Sequence, residues 1–400
     1  MSSPQRSSRD ALSIAMVGTR GVPARYGGFE TAVEEVGRRL VERGHRVRVY
    51  CRSVDDEVPG SYLGMDLVAL PALRRRSLET LSHTALSVGH LVARRTDVAF
   101  VFNAANAPLL PLLRARRIPV ATHVDGLEWK RAKWGGTGRR YYRAAESLSV
   151  RLSDALIADA QGIADYYTAE FGAATTLLTY GAPRLDDPPA DLLGQYGVAP
   201  GAYHLVVARF EPENHVELAV EGYVRSGARH PLLVVGSAPY ADEYTRRVQA
   251  AAGTDPRVRL LGGVWDQAAL DQLYAHALTY VHGHSVGGTN PSLLRAIGAG
   301  AATVAFDVSF NREVLGTSGR YFRSADDVAR QIEDAEGDPA AAAARGAELQ
   351  ARAGDYDWDE VARGYEQLAR DLHDRRVPGP QKGRRRAAVE STPQHIEVDA

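Results

Sequence analysis

The feature that most constrains this chain is an alternation of short apolar runs and longer amphipathic stretches, which occurs twice. In the first pass the runs are Ser13–Val17, Arg46–Cys51, Asp66–Ala69, Val98–Phe102, Ile118–Thr122, Ala155–Ala158 and Thr176–Thr179. Several are almost wholly apolar (VAFVF, for example), as strands buried on both faces of a parallel sheet must be. Helical patterns over Phe29–Arg43, Leu78–Ala93 and Arg139–Leu152 lie between them. The second pass has runs at His204–Ala208, Leu232–Val235, Val258–Leu261, Leu278–Val281 and Thr303–Ala305. Between the passes, GAPRLDDPPADLLGQYGVAPG is rich in Pro, Gly and Asp and reads as a linker. The pattern predicts two Rossmann-like, doubly wound α/β domains facing a central cleft, with ligands at the strand C-termini and the domain junction.

The expected division is a flexible N-terminus (1–11), a first Rossmann-like domain (12–182), a linker (183–201) and a second Rossmann-like domain (202–355). A C-terminal helix (356–373) and a disordered tail (374–400) follow; the tail lacks apolar periodicity. At 400 residues there is ample chain for sizeable cores. The single cysteine, Cys51, rules out an internal disulfide and a cysteine-based metal cluster. No apolar run approaches the ~18 residues of a membrane span, and MSSPQRSSRD lacks the apolar core of a signal peptide. A cytoplasmic protein is expected. Net charge is −1, but residues 1–190 hold 26 Lys+Arg against 20 Asp+Glu, and the remainder holds 22 against 29. A basic first half favours an anionic partner, and the arginines of ALRRRSLETLSH and RRYYRAAESL suggest peripheral contact with an anionic membrane. No nucleic-acid partner is expected.

Four segments carry the candidate chemistry. In HSVGGTNPSLLRAIGAG, Asn290 is a favoured N-cap and Pro291 a favoured first helical residue, so a helix should start there. With Gly287, Gly288, Thr289 and Ser292 this makes strand, glycine loop and helix N-terminus, an arrangement suited to an anion, although a plain capped loop has the same pattern. GTRGVPARYGGFE places Gly27-Gly28 at another helix start, with Arg25 and Tyr26 just before it. It is not a strict GxGxxG, and Tyr50-Cys51-Arg52 stands where a dinucleotide site needs an acid, which argues against NAD. HVDGLEWKRAKW gathers His123, Asp125, Glu128, Trp129 and Lys130 behind a strand; rings beside carboxylates and an imidazole suit sugar hydroxyls and C–H faces. In VARFEPENH, Arg209 can reach the cleft and bind a diphosphate bidentately. HExxH, Walker A and Cys/His zinc spacings are missing from the sequence, and no DxD is of the type that holds a metal–diphosphate, so no metal and no cofactor beyond a co-substrate is expected.

These blocks, in order over roughly residues 12–372, resemble the large retaining glycosyltransferase family 4 of GT-B fold. The similarity is to a subgroup that includes bacterial rhamnosyltransferases of polysaccharide assembly. The resemblance implies a nucleotide-sugar donor and a glycan or lipid-linked acceptor. It implies a donor site of Gly27, Gly28, Arg209, Asn214, Gly287, Gly288, Thr289, Asn290, Ser292 and Arg295, with Arg209 on the diphosphate and His123 near the sugar. Arg25, Tyr26, Glu128, Trp129 and Lys130 fall on the acceptor side, and His123, Asp125 and Arg209 are the catalytic candidates. The chain departs from the wider family where Gly287 and Arg295 replace two glutamates and Asn214 replaces a lysine. A GT-B nucleotide-sugar epimerase and a catalytically inactive sugar-nucleotide-binding partner remain alternatives.

Overall fold

The computed structural model describes residues 11–24, 27–53, 58–73, 78–124, 127–131, 134–236 and 242–385. The first half forms an eight-stranded sheet of β1 (Ser13–Val17), β2 (Arg46–Arg52), β3 (Ser61–Tyr62), β4 (Met65–Leu70), β5 (Val98–Phe102), β6 (Val120–His123), β7 (Ala155–Ala158) and β8 (Thr176–Leu177). Their spatial order is β3-β4-β2-β1-β5-β6-β7-β8, parallel throughout except for β3 against β4. The second half holds β9 (His204–Val207), β10 (Leu232–Val235), β11 (Val258–Gly262), β12 (Thr279–His282), β13 (Thr303–Phe306) and β14 (Arg320–Phe322). These form an all-parallel sheet ordered β11-β10-β9-β12-β13-β14. The strands expected from apolar runs are present with ends shifted by a residue or two. β3 and β14 were not expected, because two or three residues are too few to show a period.

The strands are buried on both faces, as their composition requires: every residue of β5, β6, β7, β10 and β12 is buried. Helices cover each sheet, and one apolar cluster runs continuously from Ile14 and Phe100 in the first sheet to Leu205 and Tyr280 in the second. The Trp358–His373 helix closes the fold by returning to the first half. Its Tyr365 stacks edge-on against Phe100 at 5.2 Å, Asp359 pairs with Arg39 at 2.7 Å, and Glu366 meets His45 at 3.2 Å. Trp358 lies so close to Gly181 that a Cβ there would sit 2.4 Å from the indole.

The disordered tail expected over 374–400 is corrected for its first part. Gln381 donates its N–H to Val150 O (3.0 Å) and exchanges side-chain hydrogen bonds with Ala174, while Arg385 pairs with Glu146 (2.6 Å) and Glu170 (2.5 Å). Charged and amide side chains dock this segment, so apolar periodicity could not reveal it. The remainder, 386–400, including Arg386, lies outside the described residues. Among the described residues no helix is long and apolar enough to cross a membrane.

Candidate active site

Both sheets have a topological switch point. The chain leaves β1 toward β2 and β4 and returns on the other side as β5; in the second sheet it leaves β9 toward β10 and β11 and returns as β12. Loops leaving such neighbours diverge and open a crevice at the strand C-termini. The two crevices face one cleft of about 1950 Å³, lined from one side by Gly18, Thr19, Arg20 and Asn103 and from the other by Arg209, Gly283 and His284.

The second-half wall is built around the helix Pro291–Gly298. Asn290 caps it, its Oδ1 accepting from Ser292 N (2.9 Å) and Ser292 Oγ (2.7 Å). Tyr280 OH lies 3.2 Å from Ser292 Oγ and 3.0 Å from His282 Nδ1, which ties the cap to β12. The first turn of this helix carries no acidic residue, so its positive end is exposed to the cleft. Gly287, at φ 129°, turns the preceding loop through a conformation that other residues rarely adopt. Arg209 is 51 % exposed, and Asn214 Nδ2 donates to Arg209 O at 2.8 Å, holding the loop that presents it. Arg295 lines the same wall and is paired with Asp271 of the helix Gln267–Ala275. The cation at this unusual position therefore has a built-in carboxylate partner.

The first-half wall brings Gly27 and Gly28 to the start of the helix Gly28–Glu42. A Cβ at Gly28 would lie 3.2 Å from both Pro291 and the Tyr180 ring, so glycine lets the two helix N-termini meet. His123 ends β6 and is 1 % exposed, with Phe102 (5.5 Å) and Tyr180 (6.2 Å) stacked on it and Phe29 edge-on at 5.0 Å. Burial pushes its pKa down to about 3, so the ring is neutral at working pH. Among the described residues neither ring nitrogen has a hydrogen-bond partner, and Phe29 and Tyr180 stand between the ring and the cleft. That leaves a neutral hydrogen-bonding role and removes a proton-donor role for the imidazolium.

The acceptor-side residues divide. Glu128, Trp129 and Lys130 form a 3₁₀ turn, whose successive side chains point about 120° apart. Glu128 faces the cleft and is engaged by Arg131 (2.5 Å) and by Trp134 Nε1 (3.3 Å). Trp129 faces away, between Lys130 Nζ (5.6 Å) and the Arg143 guanidinium (5.1 Å), and Lys130 is exposed. Trp129 and Lys130, read as acceptor-side residues, do not line the cleft. Arg25, Tyr26 and Asp125 lie outside the described residues.

Three cleft residues were missed by sequence reasoning. Asp159, at the end of β7, is 4 % exposed and presses on the second-half loop: a Cβ on Gly288 would fall 2.0 Å from its Oδ1, and Thr289 Oγ1 donates to Asp159 O at 2.8 Å. Burial, and secondarily Glu313, pushes its carboxyl up to about 7. An acid closing an apolar run (ALIAD) was the available signal. Trp265, 72 % exposed between β11 and the Gln267–Ala275 helix, lies against Gly263 at the mouth of the cleft. Arg131 reaches from the first half to Glu213 (3.2 Å) and Glu211 (3.9 Å) of the second, which no local pattern announces. Among the described residues no cluster of three His, Cys, Asp or Glu is placed to hold a metal ion.

Comparison with known proteins agrees with this layout. Residues 27–181 match the family described as glycosyl transferase 4-like domain, and residues 202–338 match glycosyl transferases group 1. The O-antigen chain mannosyltransferase B of Escherichia coli is 26% identical over 152 residues, covering 36% of this chain and 40% of that protein. The chain thus matches less than half the length of this curated relative. Sucrose-phosphate synthase from Thermosynechococcus elongatus superposes with a TM-score of 0.77 at 20% identity, covering 90% of this chain and 99% of that one. Anabaena HepE in complex with UDP and glucose superposes at 0.72 with 18% identity, covering 91% and 100%. These structural likenesses show the fold.

Proposed function

We propose that the chain is a glycosyltransferase of GT-B fold that moves a sugar from a nucleotide-diphosphate sugar to an acceptor hydroxyl with retention of configuration. One observation carries the donor reading: the Pro291–Gly298 helix opens on the cleft with a neutral cap and no acid in its first turn, beside the half-exposed Arg209. Amide N–H groups and a guanidinium aimed at one place stabilise the charge that a departing diphosphate gains. The bond from the anomeric carbon to the phosphate oxygen breaks while the acceptor oxygen bonds on the same face, and the acceptor proton passes to the leaving phosphate oxygen. The chemistry is assigned to Arg209 and the Thr289–Ser292 backbone without a metal. Asp125 is the candidate for orienting hydroxyls, with the neutral His123 packed behind Phe29 and Tyr180 of the cleft wall. Trp265 offers an aromatic face to a nucleobase at the mouth of the cleft.

The resemblance to rhamnosyltransferases of polysaccharide assembly supports a rhamnosyl donor, and the Escherichia coli relative supports a mannosyl one. Leu78 lines the cleft and is 40 % exposed, with Leu73 (57 %) and Leu86 (47 %) also exposed; these favour a lipid-linked acceptor offered at a membrane surface over a soluble one. The test is a thermal-shift panel of nucleoside-diphosphate rhamnose, mannose and glucose, followed by turnover with lipid-linked and soluble acceptors and NMR assignment of the product anomer. A donor at 100 times its dissociation constant should add about 2.7 kcal/mol to stability. Arg209→Ala should lower turnover by about 10²–10³-fold. Near-normal turnover in that variant would refute the diphosphate role. Donor consumption without any acceptor would instead favour an epimerase.

A further inference from the structure

We propose that Arg131 of the first half and Arg209 of the second form a two-sided seat for the donor diphosphate, in which Glu211 is the counter-ion that the diphosphate replaces. The inference rests on the donor reading above and adds to it a binding residue from the opposite half.

The geometry is that of two guanidiniums on one carboxylate. Glu211 Oε2 lies 3.9 Å from Arg131 Nη1, and Glu211 Oε1 lies 4.0 Å from Arg209 Nη1. All three side chains line the cleft, together with His284, Gly287 and Gly288 of the glycine loop. Arg131 is positioned from behind at hydrogen-bonding distance, by Glu128 at 2.5 Å and by Glu213 at 3.2 Å. Glu211 approaches both arginines at Coulombic range, beyond hydrogen-bond distance. The guanidinium fork then has a diphosphate oxygen to meet, for which its planar donors are suited.

The charges at this seat lie close together: among the described residues, Glu128, Glu211 and Glu213 each come within 4.0 Å of Arg131 or Arg209. Burial raises the pKa of Glu213, and adjacent Glu211 adds to the rise. His284, at the start of the glycine loop, is held neutral by burial first, and then by His282 and by Arg131 and Arg209 together. Both arginines therefore act on the loop that leads to the Pro291–Gly298 helix. A diphosphate seated between them would bind both halves at once and couple donor binding to approach of the two domains.

The experiment is calorimetric titration of the full chain with UDP, GDP and dTDP, and then with the monophosphate of the tightest binder. Arg131→Gln should weaken the diphosphate by roughly 10- to 100-fold and the monophosphate by less than about threefold, the loss expected for charge-assisted hydrogen bonds to the outer phosphate. Glu211→Gln should tighten the diphosphate by about three- to tenfold, since it removes the competing carboxylate. Equal losses for both nucleotides in Arg131→Gln would make Arg131 a strut and overturn the proposal, as would unchanged diphosphate affinity. Weaker diphosphate binding in Glu211→Gln would overturn it independently, even if Arg131→Gln failed to fold. If none of the three diphosphates binds the unaltered chain, the donor reading itself fails and this inference falls with it.

Discussion

The Gly28–Glu42 and Pro291–Gly298 helices both begin behind glycines, both aim their N-termini into the cleft, and nearly touch where Gly28 meets Pro291. They differ in what answers the positive end. The first carries Glu30 in its first turn, whose Oε1 accepts Arg20 N at 3.0 Å, and Glu34 follows, accepting Ala24 N at 2.7 Å. The second has only the amide of Asn290 and the hydroxyl of Ser292. One helix is neutralised from within and serves the cleft by its lack of side chains; the other leaves its field for a ligand. Two similar loop sequences therefore support different functions, and glycines at a helix start do not by themselves make an anion site.

Asp159 is where the two walls meet, a first-half carboxyl pressed on the second-half glycine loop, and the largest effect is expected there. Its carboxyl titrates near 7 in the folded chain against 3.8 for the unperturbed group. Below about pH 4 both states are protonated. Between pH 4 and 7 the unfolded chain loses this proton and the folded chain keeps it, so stability falls as pH rises; above 7 the loss is constant. Asp159→Asn should therefore gain stability over the unaltered chain progressively from pH 4 to 7, on the order of a few kcal/mol at the plateau. Thermal or urea unfolding across that range checks it, and a difference independent of pH would show that the carboxyl does not titrate there. Ionised Asp159 beside Gly288 repels an anion, so nucleoside-diphosphate affinity should decline in the unaltered chain as pH rises through about 7 and should not decline in the variant.

A smaller and cleaner perturbation gives the second helix what the first already has. Asn290→Asp keeps an equally good N-cap, so stability should change by less than about 0.5 kcal/mol. It also puts a negative charge where the diphosphate is proposed to sit. Like charges ~5 Å apart at an effective dielectric near 20 repel by about 3 kcal/mol, so UDP, GDP or dTDP should bind about 100-fold more weakly. Unchanged affinity in a stably folded variant would move the anion away from this helix.

What was legible beforehand follows the range of the interactions concerned. Parallel strands announce themselves by their own apolar residues, and the start at Pro291 is fixed by the cap Asn290 and the ring of Pro291, all within a few residues. The side-chain direction at Glu128, Trp129 and Lys130 was not legible, because a 3₁₀ turn and a helix distribute the same three residues differently. Arg295 with Asp271, Arg131 with Glu213 and Arg385 with Glu146 depend on which elements come to lie together. His123 was read as lying near the donor sugar, and its enclosure by the rings of Phe29, Phe102 and Tyr180 appears only once the fold is assembled.

The smallest effect tests the other side of the comparison. Glu30→Gln removes the charge that answers the first helix while leaving an oxygen able to accept from Arg20 N. A helix terminus is worth roughly 0.3–1 kcal/mol to a nearby charge, so the variant should alter nucleoside-diphosphate affinity by less than about threefold. Its stability should fall by a similar fraction of a kcal/mol, as the carboxylate is lost from the first turn. A rise in affinity of tenfold or more, measured by the same titration, would mean that the first helix lies close to the diphosphate and that Glu30 was masking a second anion site. The division of labour between the two helices would then be a matter of one carboxylate rather than of the two loops.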